Sequence, residues 1–240
     1  MFKISVIYNN MSSSDSLRDG WGYSAWIETE KGQFLFDTGG NSERFLYNLE
    51  KAGFHPPSLN GIIISHQHWD HVNGLAGLRD KIKKNLPVYV PFPDMDRVEE
   101  TAGRFNYIEV KELMNIDTGI FISAPISFKY KEDNMAEQFL ILVKDEELMI
   151  ITGCCHPGLE TIISYTKNQF PGLKIKLITG GFHMAPMNEA EIHTQFSKLV
   201  EENVDYVAPS HCSGDAAVEI AKKLEKIDFV PLFLGDHYTF

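Results

Sequence analysis

The sequence predicts an α+β fold in which two packed β-sheets carry helices on their outer faces. Three observations point to it. The first quarter is a run of short strand-like segments separated by Gly, Ser and Asn clusters. The second half alternates apolar, β-branched runs with stretches of helical periodicity. No Gly/Ser-rich linker divides the two halves, so residues 1–240 read as one domain. With 240 residues, 43% of them hydrophobic and 12% aromatic, the chain can bury a full core.

Strands are expected at 3–8, 23–28, 33–36 and 61–65. Residues 42–52 follow as a helix, with Asn41 or Ser42 as N-cap and Gly53 as its stop. A second helix is predicted from near 71 to 84, where Leu75, Leu78 and Ile82 recur at helical spacing. Gly74 inside it marks a close backbone approach. Residues 91–133 combine prolines around Phe92, an amphipathic stretch at 94–104 and mixed polar residues, and read as a lid or insertion. Strands at 138–143, 148–151, 175–178, 206–208 and 230–234 then alternate with helices at 158–167, 188–201 and 215–226.

Composition narrows the function classes. A formal charge of −11 and a pI near 5.3 argue against a nucleic-acid footprint, which needs a basic face. No apolar stretch approaches the roughly 20 residues that span a bilayer, and residues 1–8 read as a strand rather than a signal peptide. The expectation is a cytoplasmic protein with a small-molecule substrate and neither nucleic acid nor membrane as partner. A lid of this size could also pack against a second copy, leaving a homo-oligomer open. The three cysteines, two of them adjacent (Cys154, Cys155), fit no disulfide framework and read as reduced thiols.

The chemistry is concentrated in six residues. His66, His68, Asp70 and His71 follow the apolar run at 61–65, so imidazoles and a carboxylate leave the end of a buried strand together. These are ligands that borderline metals such as zinc accept. The competing reading is an exposed His-rich loop, but solvated loops rarely place four ligating side chains so close behind a strand. Three more histidines repeat the context: 148–153 leads through Cys154 and Cys155 to His156, 175–181 leads to His183, and 206–210 leads to His211. Ligands from four loops thus suggest a two-metal site. Asp37, closing the strand at 33–36, reads by itself as a plain Asx-turn. His55, His193 and His237 read as surface residues.

These residues resemble the metallo-β-lactamase superfamily from end to end. The signs are Phe36-Asp37-Thr38-Gly39, His66-x-His68-x-Asp70-His71 with Asn73-Gly74, Gly153-Cys154-Cys155-His156, and Ser210-His211-Cys212. Within it, the chain looks most like the branch related to archaeal 7,8-dihydropterin-6-methyl-4-(β-D-ribofuranosyl)-aminobenzene-5′-phosphate synthase. The resemblance implies an αββα sandwich of two mixed β-sheets with a metal centre at the edge between them. It also implies that Asp37 accepts a hydrogen bond from a ligand histidine. One departure stands out: many superfamily hydrolases carry a bridging aspartate after the strand that here ends at Thr152-Gly153, and this chain has Cys154 there. Either Cys154 bridges as a thiolate, His156 or His183 compensates, or one metal position is weak.

The expected function is a metal-dependent hydrolase with two divalent ions, zinc first and iron or manganese as alternatives, bound by His66, His68, Asp70, His71, His156, His211, His183 and Cys154. Such ions bring the pKa of bound water towards roughly 7 and polarise a phosphoester, lactone or thioester. Asp70 is the candidate proton acceptor as well as a ligand. The alternatives are a dihydropterin-phosphate synthase-like transferase and a di-iron oxidoreductase. Redox relatives usually have glutamate where this chain has His68. A metal-binding sensor is a non-catalytic fourth reading.

Overall fold

The computed structural model describes residues 1–103 and 105–240. Arg104, the expected end of the amphipathic stretch at 94–104, lies outside the described residues. The strands are β1 (Lys3–Asn9), β2 (Tyr23–Glu28), β3 (Gln33–Phe36), β4 (Gly61–Ile63), β5 (Pro87–Pro91), β6 (Asn106–Val110), β7 (Met114–Asp117), β8 (Ile120–Ile122), β9 (Ile126–Tyr130), β10 (Asp133–Glu137), β11 (Leu140–Lys144), β12 (Glu147–Thr152), β13 (Lys174–Gly181), β14 (Tyr206–Ser210), β15 (Asp228–Phe229) and β16 (His237–Thr239). The helices are α1 (Ser42–Lys51), α2 (Trp69–Val72), α3 (Leu75–Leu78), α4 (Met95–Ala102), α5 (Leu159–Gln169), α6 (Glu189–Glu201) and α7 (Gly214–Ala221). Among the described residues no helix is long and apolar enough to cross a membrane.

One sheet runs β16-β1-β2-β3-β4-β5-β6 and the other β15-β14-β13-β12-β11-β8-β7. Both are mixed. In the first, β3 to β6 are parallel and the β1, β2 and β16 pairings are antiparallel. In the second, β12 to β15 are parallel, and β11, β8 and β7 continue antiparallel. Period-two alternation sorts the side chains into layers. Tyr23, Ala25, Phe34, Phe36, Met149 and Ile151 enter the core between the sheets. Trp26 and Leu35 face the opposite way, into a core with Phe45, Leu75 and Val98 from α1, α3 and α4. Leu148 and Ile150 do the same under α5, α6 and α7. The expected two-sheet architecture with outer helices is therefore present.

Four local expectations are corrected. The helix predicted for 71–84 is two short helices broken at Asn73-Gly74. There the Asn73 carbonyl accepts from Ser42 Oγ at 2.6 Å, and a Cβ on Gly74 would stand 1.9 Å from the Thr38 carbonyl oxygen. Packing against the loop after β3 overrides the helical periodicity. The strand predicted for 230–234 is absent. Pro231 has no N–H for a ladder, and after Val230 bonds Val207 the chain crosses to the first sheet, where Leu234 bonds Met11. The helix predicted for 215–226 stops at Ala221. Strand β4 stops at Ile63 because the Ser65 N–H is taken by Asp37 Oδ1 at 2.7 Å.

Residues 91–133, expected to form a lid or insertion, include β6, β7 and β8 at the edges of the two sheets. Among the described strands, β9 and β10 pair with each other outside both sheets. The hairpin is tied down where Asp94 Oδ2 accepts from the Ala136 N–H at 3.0 Å.

Gly74 has φ −67° and ψ −23°, so alanine would suit its backbone and only the contact with Thr38 opposes it. Gly74→Ala is expected to lower the denaturant midpoint by about 1–3 kcal/mol of stability, the usual cost of overpacking. A raised midpoint would mean that the 38–42 loop gives way.

Candidate metal centre

The carboxyl ends of the parallel strands meet at one edge of the sandwich, and the loops leaving them carry the polar side chains. The backbone turns sharply there: Asp37, Cys155, His183 and His211 all sit at positive φ between 51° and 59°. Non-glycine residues rarely adopt that conformation, so it must be held by surrounding contacts. It re-aims each side chain off the strand direction.

Each of four histidines is oriented by an acceptor on its Nδ1. His71 Nδ1 lies 2.7 Å from Asp37 Oδ2, and because a carboxylate only accepts, the ring proton is on Nδ1. Ser65 Oγ donates to the same Oδ2 at 2.7 Å, so it accepts from His66 Nδ1 at 2.9 Å. His156 Nδ1 donates to Glu137 Oε2 at 2.7 Å, and His211 Nδ1 donates to Asn10 Oδ1 at 2.8 Å. All four rings therefore commit Nδ1 to an acceptor and turn Nε2 towards the centre, the nitrogen through which a neutral imidazole would bind a metal.

The rings assemble into two groups. His66, His68 and His156 form a triangle with centroids 4.7, 4.8 and 5.0 Å apart. His71 and His211 are 5.1 Å apart, and Asp70 Oδ2 lies 3.8 and 3.3 Å from their Nε2 atoms. Cys154 joins both. Its Sγ is 3.2 Å from His71 Nε2, and ligand atoms lie within 4.8 Å of one another in His66/Cys154/His156 and in His71/Cys154/His211. Asp70, His71 and His211 are buried, as are Cys154 and His66. All eight residues proposed as ligands from sequence are at this edge, with His183 beside Cys154.

The donor set fits divalent cations. His68 Nε2, His183 Nδ1 and His211 Nε2 are buried with no hydrogen-bond partner, a costly state that an ion relieves. Burial and the neighbouring imidazoles push His66 well down and His68 to about 4, keeping both neutral. Burial would lower His71 too, but the Asp37 and Asp70 carboxylates outweigh it and hold it at about 9. Asp70 is pulled below its ordinary value, His71 and His211 outweighing its burial. Burial pushes the Cys154 thiol well up, so a cation is needed to make it a thiolate.

Sequence reasoning missed the supports. Glu137 is buried and accepts from the backbone N–H groups of Cys154, Cys155 and His156 at 2.8, 2.8 and 2.9 Å. Its only signal was an acid leading directly into the apolar run after Gln138. Asn10 had none. The rim was missed as well. Phe128 stacks flat on His156 at 4.4 Å, Tyr130 meets His68 edge-on at 4.6 Å, and Trp21 lies 5.1 Å from His211. Trp69 is half exposed and packs on Gly40. Of the other aromatics in the sequence, Phe182 is buried in the core beneath the helices.

Comparison with known proteins follows the same lines. The family model of the Metallo-beta-lactamase superfamily matches residues 18–166. The chain is 26% identical over 260 aligned positions to the 7,8-dihydropterin-6-methyl-4-(beta-D-ribofuranosyl)-aminobenzene-5'-phosphate synthase of Methanocaldococcus jannaschii, covering 89% of this chain and 88% of the relative. It superposes on the crystal structure of Tm1679, a metal-dependent hydrolase of the beta-lactamase superfamily, with TM-score 0.80 and 23% identity, over 100% of this chain and 99% of that one. A diphosphatase from the PhnP family gives TM-score 0.64 at 12% identity, over 100% and 98% of the two chains. The two structural likenesses show the fold.

Glu137→Gln replaces an acceptor of four hydrogen bonds by an amide whose NH2 can accept none. A loss of about 1–3 kcal/mol is expected in chemical denaturation at neutral pH. His156 and three backbone N–H groups outweigh burial and hold the Glu137 carboxyl below its ordinary value. Its contribution is thus present above the ordinary glutamate pKa of about 4.3 and is lost as pH falls through the lower folded value. The gap between variant and wild type should close there; a gap constant with pH would contradict the assignment.

Proposed function

Because the chain belongs to the metallo-beta-lactamase superfamily, we propose that it is a metal-dependent hydrolase of a small anionic or ester-type substrate: a phosphoester, lactone or thioester. The observation that carries this reading is the pair of ligand groups sharing Cys154. His66, His68 and His156 would hold one divalent ion, and Asp70, His71 and His211 the other. Zinc comes first for such a nitrogen, oxygen and sulfur set. Ions bound there supply Lewis acidity and make water nucleophilic near neutral pH.

The chain's own residues do the rest. Asp37 and Glu137 fix the rings, so little reorganisation accompanies reaction. Asp70 can take the proton that water loses. Cys154, which stands where many relatives carry a bridging aspartate, would offer its sulfur to both groups. The β9–β10 hairpin is the lid, its Phe128 and Tyr130 closing over His156 and His68 and shedding water from that side. Substrate then enters past Trp21 and Trp69. The acidic surface suits a cytoplasmic enzyme of small molecules.

A second reading, a synthase-like transferase, draws on one specific observation: the rim is lined by exposed aromatic rings suited to a flat heterocycle, and a relative over most of the chain bears a synthase name. The same groups would then assist departure of a leaving group instead of attack by water.

Elemental analysis of protein purified without chelator is expected to find about two zinc ions per chain, the stoichiometry of a two-metal site. His68→Ala should lose metal and lower turnover of the best phosphodiester, lactone or thioester at least ~100-fold, at the low end of what a catalytic group contributes. Cys154→Ser should lose one ion or bind it more weakly. Iron in place of zinc would favour a redox centre. Full metal without turnover of any ester would favour the transferase or a sensor.

A further inference from the structure

Cys212 belongs to neither ligand group assigned above, yet it is a corner of a third. Its Sγ, the Cys154 Sγ and a ring nitrogen of His183 lie within 4.8 Å of one another. The three come from the ends of β12, β13 and β14, which are adjacent and parallel in the second sheet. All three cysteines of the chain are free thiols.

The geometry distinguishes this group from thiols that merely fill space. Cys155 is the internal control: it is equally buried and packs in the apolar core with Leu159, Ile162 and Phe182. Cys154 and Cys212 belong to none of the three apolar clusters among the described residues. They face one another instead, Cys212 Sγ lying 3.7 Å from the Cys154 carbonyl oxygen. The His183 N–H donates to Cys212 Sγ at 3.3 Å, a contact of the kind that steadies a metal-bound thiolate. The room they need is kept by Gly181, where a Cβ would stand 2.6 Å from Cys212 Sγ and 2.3 Å from the Gly153 carbonyl oxygen. His183 is held at φ 52°, and its Nδ1 is buried without a hydrogen-bond partner. Its ring is partly exposed, which leaves an entry path.

We propose that Cys154, His183 and Cys212 form a third, sulfur-rich metal site for thiophilic d10 ions. Two thiolates and an imidazole are a softer set than the histidine and carboxylate groups beside them, and softness selects the ion. The consequence rests on the two-ion reading above: Cys154 is common to all three groups, so an ion in the sulfur site takes the shared sulfur from the working pair. Zinc in excess, or a softer ion such as cadmium, would therefore bind where it competes with the centre rather than completing it.

The test uses the full-length protein, stripped of metal, with Cd2+ as probe under reducing conditions. Ultraviolet thiolate-to-cadmium charge transfer counts sulfur ligands, and cadmium NMR of the wild type counts them without any substitution. Two thiolates on one ion are expected in the wild type and equally in His68→Ala. Cys212→Ser should halve the charge-transfer intensity and weaken that ion at least ~10-fold, since loss of even an outer partner costs that much. A single-thiolate ion in the wild type, unchanged in Cys212→Ser, overturns the sulfur site while leaving the two-ion reading intact if zinc is still retained. A two-thiolate signal in protein that retains no zinc does the reverse: it supports the sulfur site and sinks the two-ion reading.

Discussion

The site hangs on one buried carboxylate. Asp37 has no exposed surface and accepts three hydrogen bonds: from the Ser65 N–H, from Ser65 Oγ and from His71 Nδ1. Burying an ionised group is expensive unless such donors surround it. Here the donors belong to the metal-facing loop, so satisfying the charge and aligning the histidines are the same event. The first contact ends β4, the second orients His66 through Ser65, and the third orients His71. Thr38 adds its N–H and Oγ1 to the His71 carbonyl at 2.8 and 2.9 Å, fixing α2 on the same strand end. The second sheet closes on this unit at Gly153, where a Cβ would stand 2.1 Å from Ser65 Oγ and 3.1 Å from Asp37 Oδ2.

Glu137 repeats the device on the opposite side. It gathers the three N–H groups of the loop after β12 and the ring of His156. Its neighbour Gln138 reaches back to the first sheet, bonding Ser65 and Ile64 carbonyls at 2.9 and 2.8 Å. Two buried acids, Asp37 after β3 of the first sheet and Glu137 at the end of β10, thus cross-brace the edge where the ligands emerge. Of the seven non-glycine residues at positive φ among the described residues, four lie at this edge, so backbone strain is concentrated where side chains must be re-aimed.

This division explains what could be read from the sequence. The ligands were legible because chemistry restricts them to few residue types and each follows an apolar strand, as His66, His156, His183 and His211 do. The layers were legible because Tyr23, Ala25 and Ile27 alternate at period two against Trp26. Asn10 and Glu137 were not, because a hydrogen-bond acceptor can come from any loop and carries no spacing rule. The break at Asn73-Gly74 and the lost strand at 230–234 arise from contacts with residues about 30 and 220 positions earlier, which local periodicity cannot contain. Strand β9 did carry the period-two signal, Ile126, Phe128 and Tyr130 alternating with Ser127 and Lys129, but the run is only five residues long and lies in a segment of mixed polar residues.

Cys154 is where the centre departs from its relatives, and the departure has a direction. A thiolate carries the same single charge as a carboxylate, so the electrostatic match to the two divalent ions proposed for this site would survive. What changes is softness and reach: zinc sits at about 2.3 Å from sulfur against 2.0–2.2 Å from carboxylate oxygen. Burial pushes the Cys154 thiol well up, so an ion held by its sulfur would have to displace that proton. The two proposed reactions, hydrolysis and leaving-group transfer, would draw on the same ligands and differ in whether water reaches the site. On the proposed reading that choice would fall to the rim, where Phe128 and Tyr130 pack on His156 and His68, and Trp21, itself half exposed like Trp69, packs on His211. On that reading ligand chemistry would set which bond classes can be broken, and the four aromatic side chains at the rim, two of them on β9, would set whether water or a second substrate completes the reaction.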